Sequence, residues 1–155
     1  MPGASALREG VNGAAMQGYS AALRNEVDAL LQEGYRLWEE AGLPPLGREE
    51  RCAAAAAAGT AYCGSYAREF AAACQCFYLF RMLHRLPAAF PESATLLGDW
   101  FFSQFSRHLI PLDNVPLILA FSEVLARDAA LDCDAGGGAG DPLAFIPAVL
   151  RAVRT

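Results

Sequence analysis

Apolar residues recur at spacings of three and four along most of this 155-residue sequence, and no stretch alternates apolar and polar residues as a strand does. Prolines and glycines divide the pattern into blocks long enough for helices. The blocks predict helices at about 20–41, 48–58, 65–86, 91–109, 115–131 and 142–153, with Asp113 or Asn114 available to cap the fifth. Because the connections are short, we expect an all-α bundle of five or six mostly antiparallel helices.

The predicted helices at 65–86 and 91–109 carry apolar residues around most of their circumference, which is typical of helices buried on several sides. Asp99 lies inside the second of them. Its carboxylate is expected to be paired or to face a cavity, because an isolated buried charge is costly. The preceding Gly98 disfavours helix and therefore predicts a close approach of another helix at that point.

The chain has the length of one domain. Residues 1–18, rich in Gly, Ala and Ser, are expected to form a flexible tail before a single helical domain at 19–155, and the glycines at 136–138 predict a flexible loop. Hydrophobic residues make up 54% of the chain and charged residues only 19%. This apolar excess predicts a partner subunit or self-association.

Charge and cysteine content indicate the compartment and the class of partner. The net charge of −5 argues against nucleic acid as a partner. No apolar stretch reaches the ~20 residues needed to span a bilayer, and the first twelve residues lack the apolar segment of a secretory signal. The five cysteines are therefore expected to be reduced thiols in the cytoplasm.

Few residues could carry catalysis. His84 and His108 are the only histidines, and neither a Gly-x-Ser-x-Gly motif nor a glycine-rich phosphate loop occurs. Cys74 and Cys76 would point ~200° apart on a helix, so we expect small buried side chains and no zinc site. The sequence assigns no catalytic residue, no metal ligand and no cofactor to this chain alone.

An aromatic cluster occupies the fourth predicted helix, at Trp100, Phe101, Phe102 and Phe105. Core packing is one interpretation of these rings. The other is a wall that lines a cavity for an apolar ligand such as an isoprenoid chain.

Two segments resemble the trans-isoprenyl diphosphate synthase family. Residues 71–84, AAACQCFYLFRMLH, resemble the helix that runs into the first aspartate-rich motif of the family. Residues 94–103, ATLLGDWFFS, resemble the next family helix, with its Leu-x-Gly-Asp signature before a bulky apolar residue. The region from Leu46 through the alanine block is similar to the helix that carries a Gly-Lys-Arg segment. The likeness covers about half of the chain and implies a truncated isoprenoid synthase fold.

The departures from the family are as informative. The family binds magnesium and diphosphate through two Asp-Asp-x-x-Asp motifs, whereas His84 is followed here by Arg-Leu-Pro-Ala-Ala and neither motif occurs. Because magnesium needs carboxylate ligands, the chain alone is expected to be inactive. It resembles the small, non-catalytic subunit of heterodimeric medium- and long-chain prenyl diphosphate synthases.

This resemblance implies a catalytic synthase subunit as the partner, magnesium bound through that partner, and a role in setting product chain length. It implies that Phe77, Trp100, Phe102 and Phe105 are candidates for a cavity wall and that Asp99 is structural. The alternative is an unrelated helical bundle that serves as a protein-interaction or apolar-ligand-binding module. A neighbouring gene for a full-length synthase with both aspartate motifs would favour the first hypothesis.

Overall fold

A computed structural model describes residues 21–58, 61–62, 66–86, 89–133 and 141–154. The predicted tail at 1–18 and the predicted glycine loop at 136–138 lie outside the described residues. Within these ranges the chain forms six α-helices and no strand, so the predicted all-α bundle is confirmed. The helices are α1 (Ala21–Glu40), α2 (Ala53–Ala58), α3 (Ala67–His84), α4 (Pro91–Leu109), α5 (Val115–Cys133) and α6 (Ile146–Val153), with a 3-10 turn at Ile110–Leu112 between α4 and α5.

Helices α2 and α6 begin later than the apolar spacing predicts, at Ala53 and Ile146. Hydrogen-bonded turns precede both of them. The backbone N–H of Arg51 donates to the carbonyl of Gly47 at 3.1 Å, and that of Leu143 donates to Asp141 Oδ1 at 3.0 Å. Apolar spacing does not distinguish such turns from the first turn of a helix.

The start of α5 agrees with its predicted cap. Asn114 Oδ1 accepts a hydrogen bond from the backbone N–H of Leu117 at 3.0 Å, as a side chain at the N-cap position does. The preceding Asp113 has a φ of 46°, in the left-handed region, where the chain leaves the 3-10 turn. The cap and the turn together set the direction in which α5 leaves α4.

Helix α3 is the central helix of the bundle. Every residue at 70–79 is buried, which confirms the prediction of a helix enclosed on several sides. Phe77 lies at its middle and contacts three rings from other segments, Phe105 of α4 at 5.0 Å, Phe121 of α5 at 4.8 Å and Phe145 before α6 at 4.8 Å between centroids. Aromatic pairs at these distances contribute stability beyond the area they bury.

Helices α3 and α4 are antiparallel. Phe77 packs on Phe105, and further along α3 Phe80 packs on the earlier Phe102 at 5.1 Å between centroids. Since the partner numbers fall along α4 as they rise along α3, the two helices run in opposite directions. This arrangement brings the end of α3 beside the start of α4.

Arg81 links α3 to the last two helices. Its guanidinium donates to both carboxylate oxygens of Asp128 at 2.8 and 3.0 Å and to the carbonyl of Pro142 at 2.8 Å. The Arg81–Asp128 and Phe77–Phe121 contacts follow the same order along α3 and α5, so these two helices run parallel. A bidentate pair of this kind fixes both position and register.

The close approach between helices occurs at Gly34 of α1 and not at Gly98 of α4. A Cβ built on Gly34 would lie 2.8 Å from Cζ of Phe101 and would also collide with Trp100. A Cβ on Gly98 would lie 3.8 Å from Phe80, an ordinary van der Waals contact. The prediction of a close helix–helix approach at Gly98 is therefore wrong, because the space beside it is large enough for a methyl group.

Candidate functional site

The four predicted wall residues belong mainly to the core. Phe77 and Phe105 are buried and pack on each other, whereas Trp100 and Phe102 are partly buried against the same core. None of the four lines either of the two clefts described below. Within this chain, Phe77 and Phe105 therefore pack in the core, which is one of the two interpretations that the sequence left open.

Asp99 is exposed at the edge of a small pocket, about 200 Å³ in volume, between the end of α3 and the start of α4. His84 lies across the same pocket, with its ring edge-on to Phe80 at 4.5 Å between centroids. Asp99 is the one carboxylate among the lining residues.

The solvent exposure of Asp99 corrects one expectation about α4. This helix was predicted to be apolar nearly all round, but it has a solvent-facing stripe at spacings of three and four. The exposed residues of that stripe are Glu92, Thr95, Leu96, Asp99 and Ser103. Water can therefore solvate the Asp99 carboxylate, and it needs no buried partner.

A larger cleft, about 470 Å³ in volume, lies at the opposite end of the α3–α4 pair. Its most buried polar contact joins His108 of α4 to Glu69 of α3, with 2.7 Å between His108 Nδ1 and Glu69 Oε2. Arg68 donates to the other carboxylate oxygen of Glu69 at 3.0 and 3.2 Å. Gln104 and Arg107 also line this cleft.

The Glu69 carboxylate is stabilised in its charged form. Burial alone would raise the pKa of the Glu69 carboxyl, but hydrogen bonds from His108 and Arg68 oppose that effect and hold the pKa below its usual value. An ionised carboxylate only accepts hydrogen bonds, so Nδ1–H of His108 is the donor. In the neutral ring, Nε2 is then an acceptor.

Sequence reasoning did not find this pair. Glu69 lies at the start of α3 and His108 at the end of α4, 39 positions apart in the sequence. Neither residue lies in a recognisable motif, and His108 was considered only as a candidate without supporting residues. The one available signal is the arrangement of α3 and α4 as neighbours, which places the start of one helix beside the end of the other.

Helix α5 presents a second feature that the sequence analysis missed, an exposed apolar face. Val115, Ile118 and Leu119 are 62%, 38% and 57% exposed. Continuing at spacings of three and four, the stripe reaches the exposed small residues Ser122, Ala126 and Ala129. We call these six residues the outer face of α5. The inner face of the helix, with Leu117, Phe121 and Val124, is buried in the core.

The outer face carries no charged residue over its length. Its one hydroxyl, on Ser122, donates to the carbonyl of Ile118 at 2.9 Å, which satisfies the donor within the helix. Ile110, in the 3-10 turn before α5, is also 69% exposed. Helix α5 is therefore apolar on two opposite sides in its first half, although one side alone packs on the described core.

Cys74 and Cys76 are buried on α3 as free thiols. Burial raises the pKa of both thiols well above the usual value, so they stay protonated and unreactive at neutral pH. Among the described residues, no three His, Cys, Asp or Glu side chains are grouped so that they could hold a metal ion. No helix in the described part of the chain is both long and apolar enough to span a membrane.

Comparison with known proteins gives no relative for this chain. No family model matches it, and neither a curated protein nor a solved structure matches it.

Proposed function

We propose that this chain is a non-catalytic subunit that pairs with a catalytic prenyl diphosphate synthase subunit and helps to set the length of the product. The observation that carries the pairing is the outer face of α5. Exposed contiguous apolar surfaces are typical of protein interaction sites. The larger residues at 115–119 supply apolar area, and the small residues at 122–129 allow another helix to approach closely.

The shape of this face favours a helical partner. Its residues follow one stripe from Val115 to Ala129, a length of about 21 Å at ~1.5 Å per residue. Apolar anchors at spacings of three and four are the pattern by which one helix packs along another. A partner that is itself a helical bundle satisfies this geometry.

The identity of the partner rests on the resemblance. Two of the segments that resemble the family, 71–84 and 94–103, fall within α3 and α4, two helices that pack directly on each other. The pocket between His84 and Asp99 offers a single carboxylate. A magnesium ion that bridges to a diphosphate needs more carboxylate ligands than this, so the proposal assigns the metal and the chemistry to the aspartate motifs of the partner.

The test is to co-express the chain with a full-length synthase encoded in the same genome and carrying both aspartate motifs. Complex formation is measured by analytical ultracentrifugation, and product length by mass spectrometry after incubation with isopentenyl and farnesyl diphosphate and magnesium. We expect a heterodimer and a product of different length from that of the synthase alone.

Leu119→Asp on the outer face should abolish both effects. Leu96→Asp is the matched control, since Leu96 is an exposed leucine on a different helix, α4. If the wild-type chain forms no complex with the synthase, the prenyl synthase role is rejected. A homodimer that Leu119→Asp dissociates would instead support the unrelated interaction module.

A further inference from the structure

We propose that the cleft between the start of α3 and the end of α4 binds a small carboxylic acid that also carries a hydroxyl group. In this site Arg107 holds the carboxylate, and Nε2 of His108 accepts a hydrogen bond from the ligand hydroxyl. The site is separate from the outer face of α5, and its test does not depend on the proposed partner.

The charges lining the cleft select a monoanion. Arg68 and Glu69 form an ion pair at 3.0 Å and largely neutralise each other. Among the described residues, no carboxylate forms an ion pair with Arg107. One uncompensated guanidinium therefore remains in a chain whose net charge is −5. Its planar fork of donors matches the two oxygens of a carboxylate.

The histidine supplies the second polar contact. Because Nδ1–H of His108 is committed to Glu69 at 2.7 Å, the remaining ring nitrogen is the one that can meet a ligand. His108 is buried, and the described residues offer no hydrogen-bond partner to its Nε2. A buried imidazole whose orientation is fixed by a carboxylate is a rigid acceptor, and a hydroxyl group on the ligand would satisfy it.

The remaining wall of the cleft offers a small apolar surface to the body of the ligand. Leu30 of α1, the ring of Tyr66 and Pro111 line it beside the polar residues. A volume of about 470 Å³ falls within the range of sites that bind small organic molecules. The ligand class is therefore a hydroxy acid with an apolar group and not a free inorganic anion.

Three related probes separate the contributions of the two polar groups. Mandelate has the hydroxyl, the carboxylate and an apolar ring, phenylacetate lacks the hydroxyl, and benzyl alcohol lacks the carboxylate. Binding to the full-length protein is followed by nuclear magnetic resonance shifts of the amides around Glu69 and His108. We expect saturable binding of mandelate, binding of phenylacetate weaker by about tenfold, and no saturation by benzyl alcohol.

Variants then assign the contacts. Arg107→Gln should weaken mandelate binding by about tenfold or more, because a charged hydrogen bond is lost. Arg127→Gln, an exposed arginine on α5, is the matched control and should leave binding unchanged. Since Arg107 is exposed, this variant keeps the fold intact, which circular dichroism verifies.

Absence of saturable shifts at the cleft with mandelate would overturn the proposal. Equal binding by wild type and Arg107→Gln would also overturn it, and so would tighter binding of inorganic phosphate than of mandelate, because the charge assignment would then be wrong. Mandelate binding weakened by about tenfold in His108→Gln, with binding of phenylacetate unchanged, would support the hydroxyl contact. Equal weakening of mandelate and phenylacetate binding in His108→Gln would contradict the hydroxyl contact if the variant remains folded.

Discussion

Gly34 of α1 lies so close to Phe101 of α4 that a Cβ on the glycine would come within 2.8 Å of the ring carbon Cζ. Contacts this short force a shift of packed rings and of the helix that carries them. We expect Gly34→Ala to lower the free energy of unfolding by about 1–3 kcal/mol, the usual cost of overpacking a core. Urea unfolding followed by circular dichroism measures this loss.

Gly98→Ala is the matched control for that substitution. Its added methyl group would meet Phe80 at 3.8 Å, an ordinary contact, inside the same kind of helix. The gain in helix propensity should stabilise the protein by about 0.5–1 kcal/mol. Equal effects of the two substitutions would show that α1 and α4 do not approach as closely as described.

The buried amide of Gln75 joins α3 to the start of α2. Its Oε1 accepts hydrogen bonds from the N–H groups of Ala54 and Ala55 at 3.2 and 3.1 Å, and its Nε2 donates to the carbonyl of Glu50 at 2.8 Å. The first N–H groups of a helix have no partner within the helix, so Gln75 caps α2 from outside.

Replacing this amide with an apolar side chain of similar size tests the cap. Gln75→Met would remove the partner of two buried backbone N–H groups and of one partly buried carbonyl, and we expect a loss of at least about 2 kcal/mol in the free energy of unfolding. Gln32→Met, at an exposed position of α1, is the control and should change stability little. A loss no larger in Gln75→Met than in Gln32→Met would exclude a capping role.

The apolar pattern of the sequence predicts that α3 is buried, but it predicts neither the solvent-facing stripe of α4 nor how closely neighbouring helices approach. Periodicity correctly predicts that α3 is enclosed on several sides. It does not show whether Gly34 or Gly98 faces a crowded neighbour. That depends on ring positions far away in the chain, and only the packed arrangement sets them.

For the candidate site too, local sequence patterns predict part of the arrangement, and the packing of the helices determines the rest. A sequence pattern identifies residues that share an element, such as the segment around Asp99. The sequence also contains the signal for the two apolar sides of α5, since apolar residues lie on both sides of the helix. The Glu69–His108 contact depends instead on how far α3 and α4 slide past each other. A shift of one helical turn would separate the two side chains, and no local pattern encodes that offset.

The Glu69 carboxylate should make stability depend on pH. Burial opposes ionisation, but hydrogen bonds from His108 and Arg68 prevail, so the pKa in the folded protein is below the unfolded value of about 4.3. A lowered pKa contributes stability that is present above the unfolded pKa and is lost as pH falls through the folded pKa. The stability difference between wild type and Glu69→Gln should therefore shrink as the pH falls below about 4.3.

Thermal unfolding of both proteins across this acidic range measures that difference. Glu123→Gln is the control, because Glu123 is exposed on α5 and lies away from the cleft. A constant difference between wild type and Glu69→Gln at all pH values would show that the charge of Glu69 does not contribute to stability.

The Arg81–Asp128 pair should couple the last helix to the core. Arg81 is 7% exposed, and the same guanidinium holds the carbonyl of Pro142 in front of α6. We expect Arg81→Ala to speed hydrogen exchange of the α6 amides more than that of the α4 amides, since α6 loses its anchor. Arg127→Ala, exposed on α5, serves as the control, and uniform acceleration in all helices would point to global destabilisation instead.

To test whether aromatic residues set product length, we need a variant that changes the proposed cavity wall without a large loss of core packing. Phe105 is buried against Phe77 and Phe121, so Phe105→Ala should cost about 3–5 kcal/mol of stability. A change of product length in that variant could then come from partial unfolding. Phe102 is only partly buried, and its truncation should cost less. In the complex with a synthase subunit, Phe102→Ala should give a longer product by mass spectrometry if this ring limits chain growth. Ser103→Ala, at the next exposed position of α4, should leave the product unchanged, and an unchanged product in Phe102→Ala as well would remove Phe102 from the wall.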